Sequence, residues 1–250
     1  MLYVIGTPIG NLQDLSPRAI EILKQVQVLA CEDTRRTRQL LAHFNIPVPR
    51  WVVSYREHRE ASSGEHLLAH WREGHQVALC SDGGMPSVSD PGYRLVRLAV
   101  ENSIPVVVIP GPSAVLTALV VSGLPTSSFT FKGYPPRKPG PLRRFFESEA
   151  SMPHTLVVFE SPYRVGATLA AAYEALGNRQ AAVCLELTKH FERVERGSLE
   201  TLAASFAGKK VKGEATLVIA GNHPKFTDES DPSEPDDPSD PDVSDPAVSC

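Results

Sequence analysis

Apolar and polar positions along this chain fall into blocks with two different periods. Residues 2–5, 26–31, 51–55, 76–80 and 105–109 are short, nearly continuous apolar runs rich in Val, Leu and Ile. Runs of that length, bounded by Gly, Pro or charged clusters, read as strands buried on both faces. The segments between them have helical spacing. The first opens at Ser16-Pro17, a cap acceptor followed by a proline at the first helical position, and turns Ile20 and Leu23 inward. The second passes through Leu40, Leu41 and Phe44; the third covers 61–73 with Leu67, Leu68 and Trp71 inward. The fourth puts Leu95, Leu98 and Ala99 on one face, with Asp90-Pro91 as its predicted cap and start, and the fifth covers 114–121. Alternating strands and helices predict a parallel sheet covered on both faces. Right-handed crossovers then place every strand-to-helix loop on one edge. Three Gly/Pro loops, 6–12, 81–92 and 110–113, are therefore expected to converge where open α/β sheets bind their ligands.

The rhythm changes at Gly123-Leu124-Pro125-Thr126, the predicted domain boundary. Strands are expected at 129–132, 154–159, 181–187 and 215–220, and helices at 142–149, 165–176 and 199–206. The alternating stretch 191–197 is expected to pair antiparallel with a neighbour, so the second half reads as a mixed sheet with helices. The expected organisation is an α/β domain at 1–122, a second α/β domain at 123–222, and a tail at 223–250.

Charge sharpens the reading of that tail. The formal net charge is −4, but residues 224–250 hold nine of the 29 carboxylates and one of the 25 Lys/Arg. The remaining 24 bases and 20 acids give residues 1–223 a net charge of +4, which permits an anionic partner but does not require one. The Asp-Pro-Ser repetition of the tail cannot bury enough apolar surface to offset its ordering entropy, so it reads as disordered and acidic. The four cysteines, Cys31, Cys80, Cys184 and Cys250, are widely spaced, and the first three read as buried thiols suited to a reducing cytoplasm. No apolar run approaches the length of a membrane span, so a soluble chain is expected.

Candidate chemistry narrows slowly. No P-loop, GxGxxG or GxSxG pattern occurs. His66 and His70 stand four apart on a predicted helix, but with no Glu or Cys completing a familiar ligand set they read as a solvated face, and no metal is expected. Gly83 and Gly84 lack the Cβ that would block a close approach to a polar small molecule. A tight turn is the competing reading.

The ordered motifs settle more. Tyr3-Val4-Ile5-Gly6-Thr7-Pro8-Ile9-Gly10-Asn11-Leu12, Ala30-Cys31-Glu32-Asp33-Thr34-Arg35, Ser81-Asp82-Gly83-Gly84-Met85-Pro86 and Ser89-Asp90-Pro91-Gly92-Tyr93-Arg94 come first. Ile109-Pro110-Gly111-Pro112-Ser113-Ala114, Pro136-Arg137-Lys138, Phe159-Glu160-Ser161-Pro162 and Glu186-Leu187-Thr188-Lys189 follow. Together they resemble the ribosomal RNA small-subunit methyltransferase I family, a branch of the tetrapyrrole-methylase-like superfamily, from residue 2 to about 220. The resemblance implies two α/β domains with S-adenosyl-methionine in the cleft between them, a homodimer, and 2′-O-methylation of a cytidine ribose in the decoding region of 16S rRNA, probed within the 30S subunit or as naked RNA. The cofactor contacts it implies fall on Pro8, Ser81, Asp82, Gly84, Met85, Val88, Ser113 and Ala114, and on Phe159, Glu160, Leu187, Ala215 and Thr216. Tetrapyrrole-modifying relatives usually carry Gly-Asp-Pro where this chain has Gly84-Met85-Pro86. RNA-methylating relatives commonly carry alanine at Gly83, threonine at Met85 and histidine at Tyr163.

Methyl transfer needs a nucleophile held in line with the donor and an acceptor for the ribose proton. Glu32, Asp33, Arg35, Arg56, Glu57, Asp82, Asp90, Glu160 and Lys189 are the polar residues near the predicted edge. Asp33, Glu160 and Lys189 are placed nearest the substrate, each with a helix cap or an ion pair as its alternative role. Arg35, Arg36, Arg38, Arg137, Lys138, Arg143 and Arg144 are candidate phosphate contacts, and Tyr134 offers a stacking face for a splayed base. The competing functions are a same-fold methyltransferase for a tetrapyrrole or protein side chain, and a cofactor-binding ribosome-assembly module without turnover.

Overall fold

The computed structural model describes residues 1–223 and 226. The predicted tail lies outside the described residues apart from His223 and Phe226. The chain forms two compact units, Met1–Ala114 and from Val115 onward.

In the first unit, β1 (Leu2–Ile5), β2 (Val28–Cys31), β3 (Trp51–Ser54), β4 (Val77–Cys80) and β5 (Val106–Ile109) form a parallel sheet in the order β3-β2-β4-β1-β5. The pleat sorts the strand residues. Leu2, Val4, Val28, Ala30, Val77 and Leu79 pack on one face with Leu67, Leu68 and Trp71 of α3 (Glu60–Arg72) and Leu95 and Ala99 of α4 (Tyr93–Glu101). Ile5, Leu29, Ala78, Cys80 and Ile109 face the other way, onto Ala19 and Leu23 of α1 (Pro17–Gln25) and Leu41 of α2 (Thr34–His43). Both faces are covered, as the apolar runs predict. Ser16 caps α1 by accepting from Ala19 N at 3.2 Å, with Pro17 at the first helical position. Neighbouring strands β1 and β4 send their helices to opposite faces, which makes their carboxyl ends a topological switch point.

One expectation is corrected. Asp90 is not the cap of α4: Gly92 occupies that position, at φ 147°, without a side-chain cap. Its N–H donates instead to Oε1 of Glu60, a buried residue of α3, at 3.0 Å. The end of the 81–92 loop is thus pinned from another helix. The strand β5, apolar throughout, is a sheet edge, and Val108 is 49% exposed.

The second unit contains β6 (Phe129–Phe131), β7 (Thr155–Glu160), β8 (Gln180–Leu185), β9 (Arg193–Ser198) and β10 (Ala215–Ile219) in the order β6-β7-β10-β8-β9. The β6–β7 pair is parallel and the other pairs antiparallel, including β8–β9. One face packs on α6 (Pro139–Glu147), α7 (Val165–Leu176) and α8 (Leu199–Phe206) through Phe146, Leu169, Ala172, Leu199 and Phe206. The division between units falls at the start of α5 (Ala114–Ser122), ahead of the predicted boundary at Gly123. The reason is that α5 is tied to the second sheet: Arg196 Nε donates to the Ser122 carbonyl at 3.1 Å, and Cys184 Sγ lies 3.9 Å from the Ala118 carbonyl. No described helix is long and apolar enough to cross a membrane.

Candidate functional site

The three Gly/Pro loops of the first unit meet. Thr7 and Gly84 exchange two backbone hydrogen bonds of 2.9 Å, joining the loop after β1 to the loop after β4. Thr7 Oγ1 adds a bond to the Ser81 carbonyl at 3.1 Å. The loop after β5 is held as closely, because Gly6 N donates to the Ile109 carbonyl at 3.1 Å and the backbones of Gly6 and Gly111 touch. A Cβ on Gly111 would sit 2.7 Å from the Gly6 carbonyl oxygen, so only glycine permits this crossing. Met85 fills the space beside it: its Sδ would be 2.6 Å from a Cβ on Gly6. At Gly83 a Cβ would lie 3.3 Å from the Pro8 carbonyl, so alanine would fit there only with a slight give.

The loop after β2 completes the edge. Asp82 Oδ1 accepts from Asp33 N at 3.0 Å, and its Oδ2 lies 3.4 Å from Arg36 Nη1. Thr7, Pro8, Leu12, Arg36, Thr37, Gln39, Leu40, Cys80, Ser81 and Asp82 enclose a pocket of about 230 Å³. Its walls mix apolar surface from Pro8, Leu12 and Leu40 with the paired Arg36 and Asp82 charges.

Each predicted catalytic residue carries the cap or ion pair given as its alternative. Asp33 caps α2, accepting from Arg35 N at 2.8 Å, and pairs with Arg35 Nη2 at 2.9 Å. The hydrogen bonds from Arg35 hold its carboxyl well below the usual carboxylate range. Glu160 is buried at the end of β7, where its Oε1 accepts from Ser161 N at 2.7 Å and lies 3.2 Å from Arg164 Nη1. Lys189 donates to Glu186 Oε1 at 2.8 Å and Glu214 Oε2 at 3.0 Å. Burial pulls its ammonium down, but the two carboxylates outweigh that and leave its pKa raised.

The remaining predicted contacts divide between the units. In the first, Pro8, Ser81, Asp82, Gly84 and Met85 lie in the loop junction, Ser113 and Ala114 follow Gly111, and Val88 stands 44% exposed farther along its loop. In the second, Phe159, Leu187, Ala215 and Thr216 gather at one sheet end, where Thr216 pairs with Phe159 and Ala215 with Glu160 and Leu185. Leu187, Ala215 and Thr216 are buried. Arg35, Arg36 and Arg38 are exposed along α2. Arg137 and Lys138 are exposed in the loop before α6, beside Tyr134, whose ring lies 5.6 Å from that of Phe159. Tyr163 is 71% exposed.

Glu32 is a further titratable group at this edge. Burial raises the Glu32 carboxyl, and the neighbouring Asp82 carboxylate raises it further, against weaker opposing contributions from an Asp82 backbone hydrogen bond, Arg36 and Arg56. Glu32 is therefore the stronger base of the adjacent pair. Its only signal in sequence was its place beside Asp33 at a strand's carboxyl end.

Residues 1–203 match the family Tetrapyrrole (Corrin/Porphyrin) Methylases. A relative from Halalkalibacterium halodurans, named Ribosomal RNA small subunit methyltransferase I, is 44% identical over 228 residues, covering 91% of this chain and 78% of its own. A relative of the same name from Synechocystis is 42% identical over 235 residues, covering 92% and 84%. Among solved structures, uroporphyrin-III C-methyltransferase from Thermus thermophilus, complexed with S-adenyl homocysteine, superimposes with a TM-score of 0.61 at 24% identity, covering 88% of this chain and 96% of its own. Cobalt precorrin-4 methyltransferase gives 0.65 at 16% identity, covering 88% and 94%. The solved structures share the fold, and the closer sequence relatives specify the branch. This chain belongs to the tetrapyrrole methylase family, in the branch of the proteins named ribosomal RNA small subunit methyltransferase I.

Proposed function

We propose that this protein uses S-adenosyl-methionine to methylate the 2′-hydroxyl of a cytidine ribose in 16S rRNA, within the 30S subunit. The observation that carries the reading is the junction of three glycine loops at the carboxyl edge of the first sheet, beside a basic helix start. The residues fit the cofactor: glycines at 6 and 111 that let the loops close on one another, apolar walls at Pro8, Leu12 and Leu40, and a carboxylate at Asp82. When bound, the cofactor supplies an electrophilic methyl group on a sulfonium. The chain's task is to hold the ribose hydroxyl in line and take up its proton. Glu32 is the group we assign to the proton, because Asp33 is committed to α2 and Arg35. The relatives' shared name supports RNA over a tetrapyrrole or a protein as substrate, and Met85 in place of the usual aspartate supports it too.

The test is incubation with methyl-labelled S-adenosyl-methionine and 30S subunits, naked 16S rRNA or a tetrapyrrole. Label recovered in 2′-O-methylcytidine supports the reading. Label in a tetrapyrrole, or binding without transfer, contradicts it.

The exposed Arg137 and Lys138 with Tyr134 form the RNA-facing loop in this reading. Replacing Arg137 and Lys138 by Gln should weaken RNA binding and reduce the slope of log K against log salt by about 1.4, the release expected from two single-strand phosphate contacts. An unchanged slope, read from filter binding across a salt series, would count against that role. The exposed Val108 on edge strand β5 supports a second copy of the chain as partner. Val108→Glu should then shift the sedimenting species from dimer to monomer, and a wild-type monomer would exclude the dimer.

A further inference from the structure

A second cluster of titratable groups lies at the opposite, amino-terminal edge of the first sheet. The turn after α3 builds it. His75 N donates to the His70 carbonyl at 3.0 Å, and Gly74 N donates to the Trp71 carbonyl at 2.9 Å. With Gly74 at φ 83°, this is a Schellman ending, which folds the second residue past the cap back over the last helical turn. The two positions so apposed usually carry an apolar pair. Here they carry His70 and His75, with Glu73 between them in sequence.

The side chains converge. Glu73 Oε2 lies 3.3 Å from His75 Nδ1 and 3.8 Å from His70 Nδ1, and one ligand atom from each of the three residues lies within 4.8 Å of the others. Ligands on a tetrahedral zinc ion, with bonds of about 2.0–2.2 Å, stand roughly 3.3–3.5 Å apart, so a small contraction closes the set. His70 is buried, with a side chain 10% exposed, and neither of its ring nitrogens has a hydrogen-bond partner among the described residues. The same holds for His75 Nδ1. Buried polar atoms without partners are uncommon and call for an occupant. The exposed His66 ring lies 5.2 Å from that of His70, one turn earlier on the same helix, within reach as a fourth ligand. Trp51, at the start of β3, backs both rings at 4.8 and 4.6 Å.

We propose that His70, Glu73 and His75, with His66 or water as the fourth ligand, form a site for a first-row divalent transition metal, of which Zn²⁺ is the probe. Two imidazoles and one carboxylate favour such a metal over Mg²⁺ or Ca²⁺, which take oxygen ligands. The site is structural rather than catalytic: it would clamp the end of α3 to the entry of β4, across the sheet from the methyl-transfer edge. The sequence reading paired His66 with His70 and did not include Glu73, because the turn that brings Glu73 and His75 back was not recognised.

The test is titration of the full chain with Zn²⁺ against a chromophoric chelator, with Co²⁺ as a spectroscopic substitute. Glu73→Gln alters an exposed side chain, so the fold is kept; His75→Gln is added to it as a second variant. The wild type should bind one Zn²⁺ with a micromolar or lower Kd and show visible Co²⁺ absorption. Affinity should fall at least tenfold in Glu73→Gln, and the site should vanish in the double variant. Saturating Zn²⁺ should raise the wild-type Tm by on the order of 5 °C and leave the double variant unmoved. Zn²⁺ binding no tighter than millimolar in the wild type, or equal in all three proteins, would overturn the proposal.

Discussion

Glu32→Gln is expected to lower kcat for RNA methylation about 100-fold or more while leaving S-adenosyl homocysteine affinity within a factor of two. General-base assistance contributes roughly 10²–10⁴ to a rate, and the amide keeps the size of the carboxylate while losing its proton affinity. The pH dependence carries a sign. Burial and Asp82 raise the Glu32 pKa, so the unprotonated form is lost as pH falls through a point above the group's ordinary value. Wild-type kcat should therefore decline on the acid side, and that limb should be missing in Glu32→Gln. Asp33→Asn should not reproduce this, because the Asp33 pKa is depressed by Arg35 and its proton stays off far below the usual carboxylate range. Single-turnover rates across pH distinguish the two; an acid limb that survives in Glu32→Gln would exclude Glu32 as the base.

Gly111→Ala is the second large effect. The added Cβ would meet the oxygen, carbon and Cα of Gly6 at 2.7–2.8 Å, a contact with backbone that no rotamer relieves. The loops after β1 and β5 would have to separate, at a cost of about 3 kcal/mol by the usual range for overpacking. The shift would carry Thr7, which holds Gly84 by two backbone bonds, so S-adenosyl homocysteine affinity should fall by at least tenfold as Tm drops. Gly140→Ala serves as the comparison, since its Cβ would have Arg144 Nη1 as nearest neighbour at 3.8 Å and alanine favours the helix. It should leave affinity unchanged. Calorimetric titration of both variants checks the contrast; equal affinities would detach Gly111 from the site.

Much of the fold was legible because local and long-range signals agreed. The helices at 165–176 and 199–206 match α7 and α8 to the residue: the first is rich in Ala and Leu and ends at Gly177, the second starts from a Ser198 cap. The convergence of the three glycine loops followed from crossover handedness alone, and the Thr7–Gly84 bridge is its outcome. What was misread depended on partners far away in sequence. Asp90 looked like a cap, but Glu60 from α3 holds the Gly92 amide. The raised pKa of Glu32 comes from its burial and from Asp82, 50 positions away, which no spacing rule conveys. Glu160 and Lys189 were recognised as notable polar residues, yet their ion pairs with Arg164, Glu186 and Glu214 emerge only from the folded second unit.

The central claim is that the loop junction at the carboxyl edge of the first sheet holds the methyl donor. It is tested most directly by amide chemical shifts of the ¹⁵N-labelled chain during titration with S-adenosyl homocysteine. The account predicts the largest saturable shifts at Gly6, Thr7, Ser81–Met85 and Gly111, with Gly74 and His75 at the opposite edge unmoved. Saturable shifts centred elsewhere, with the Gly6, Gly84 and Gly111 amides unchanged, would contradict it.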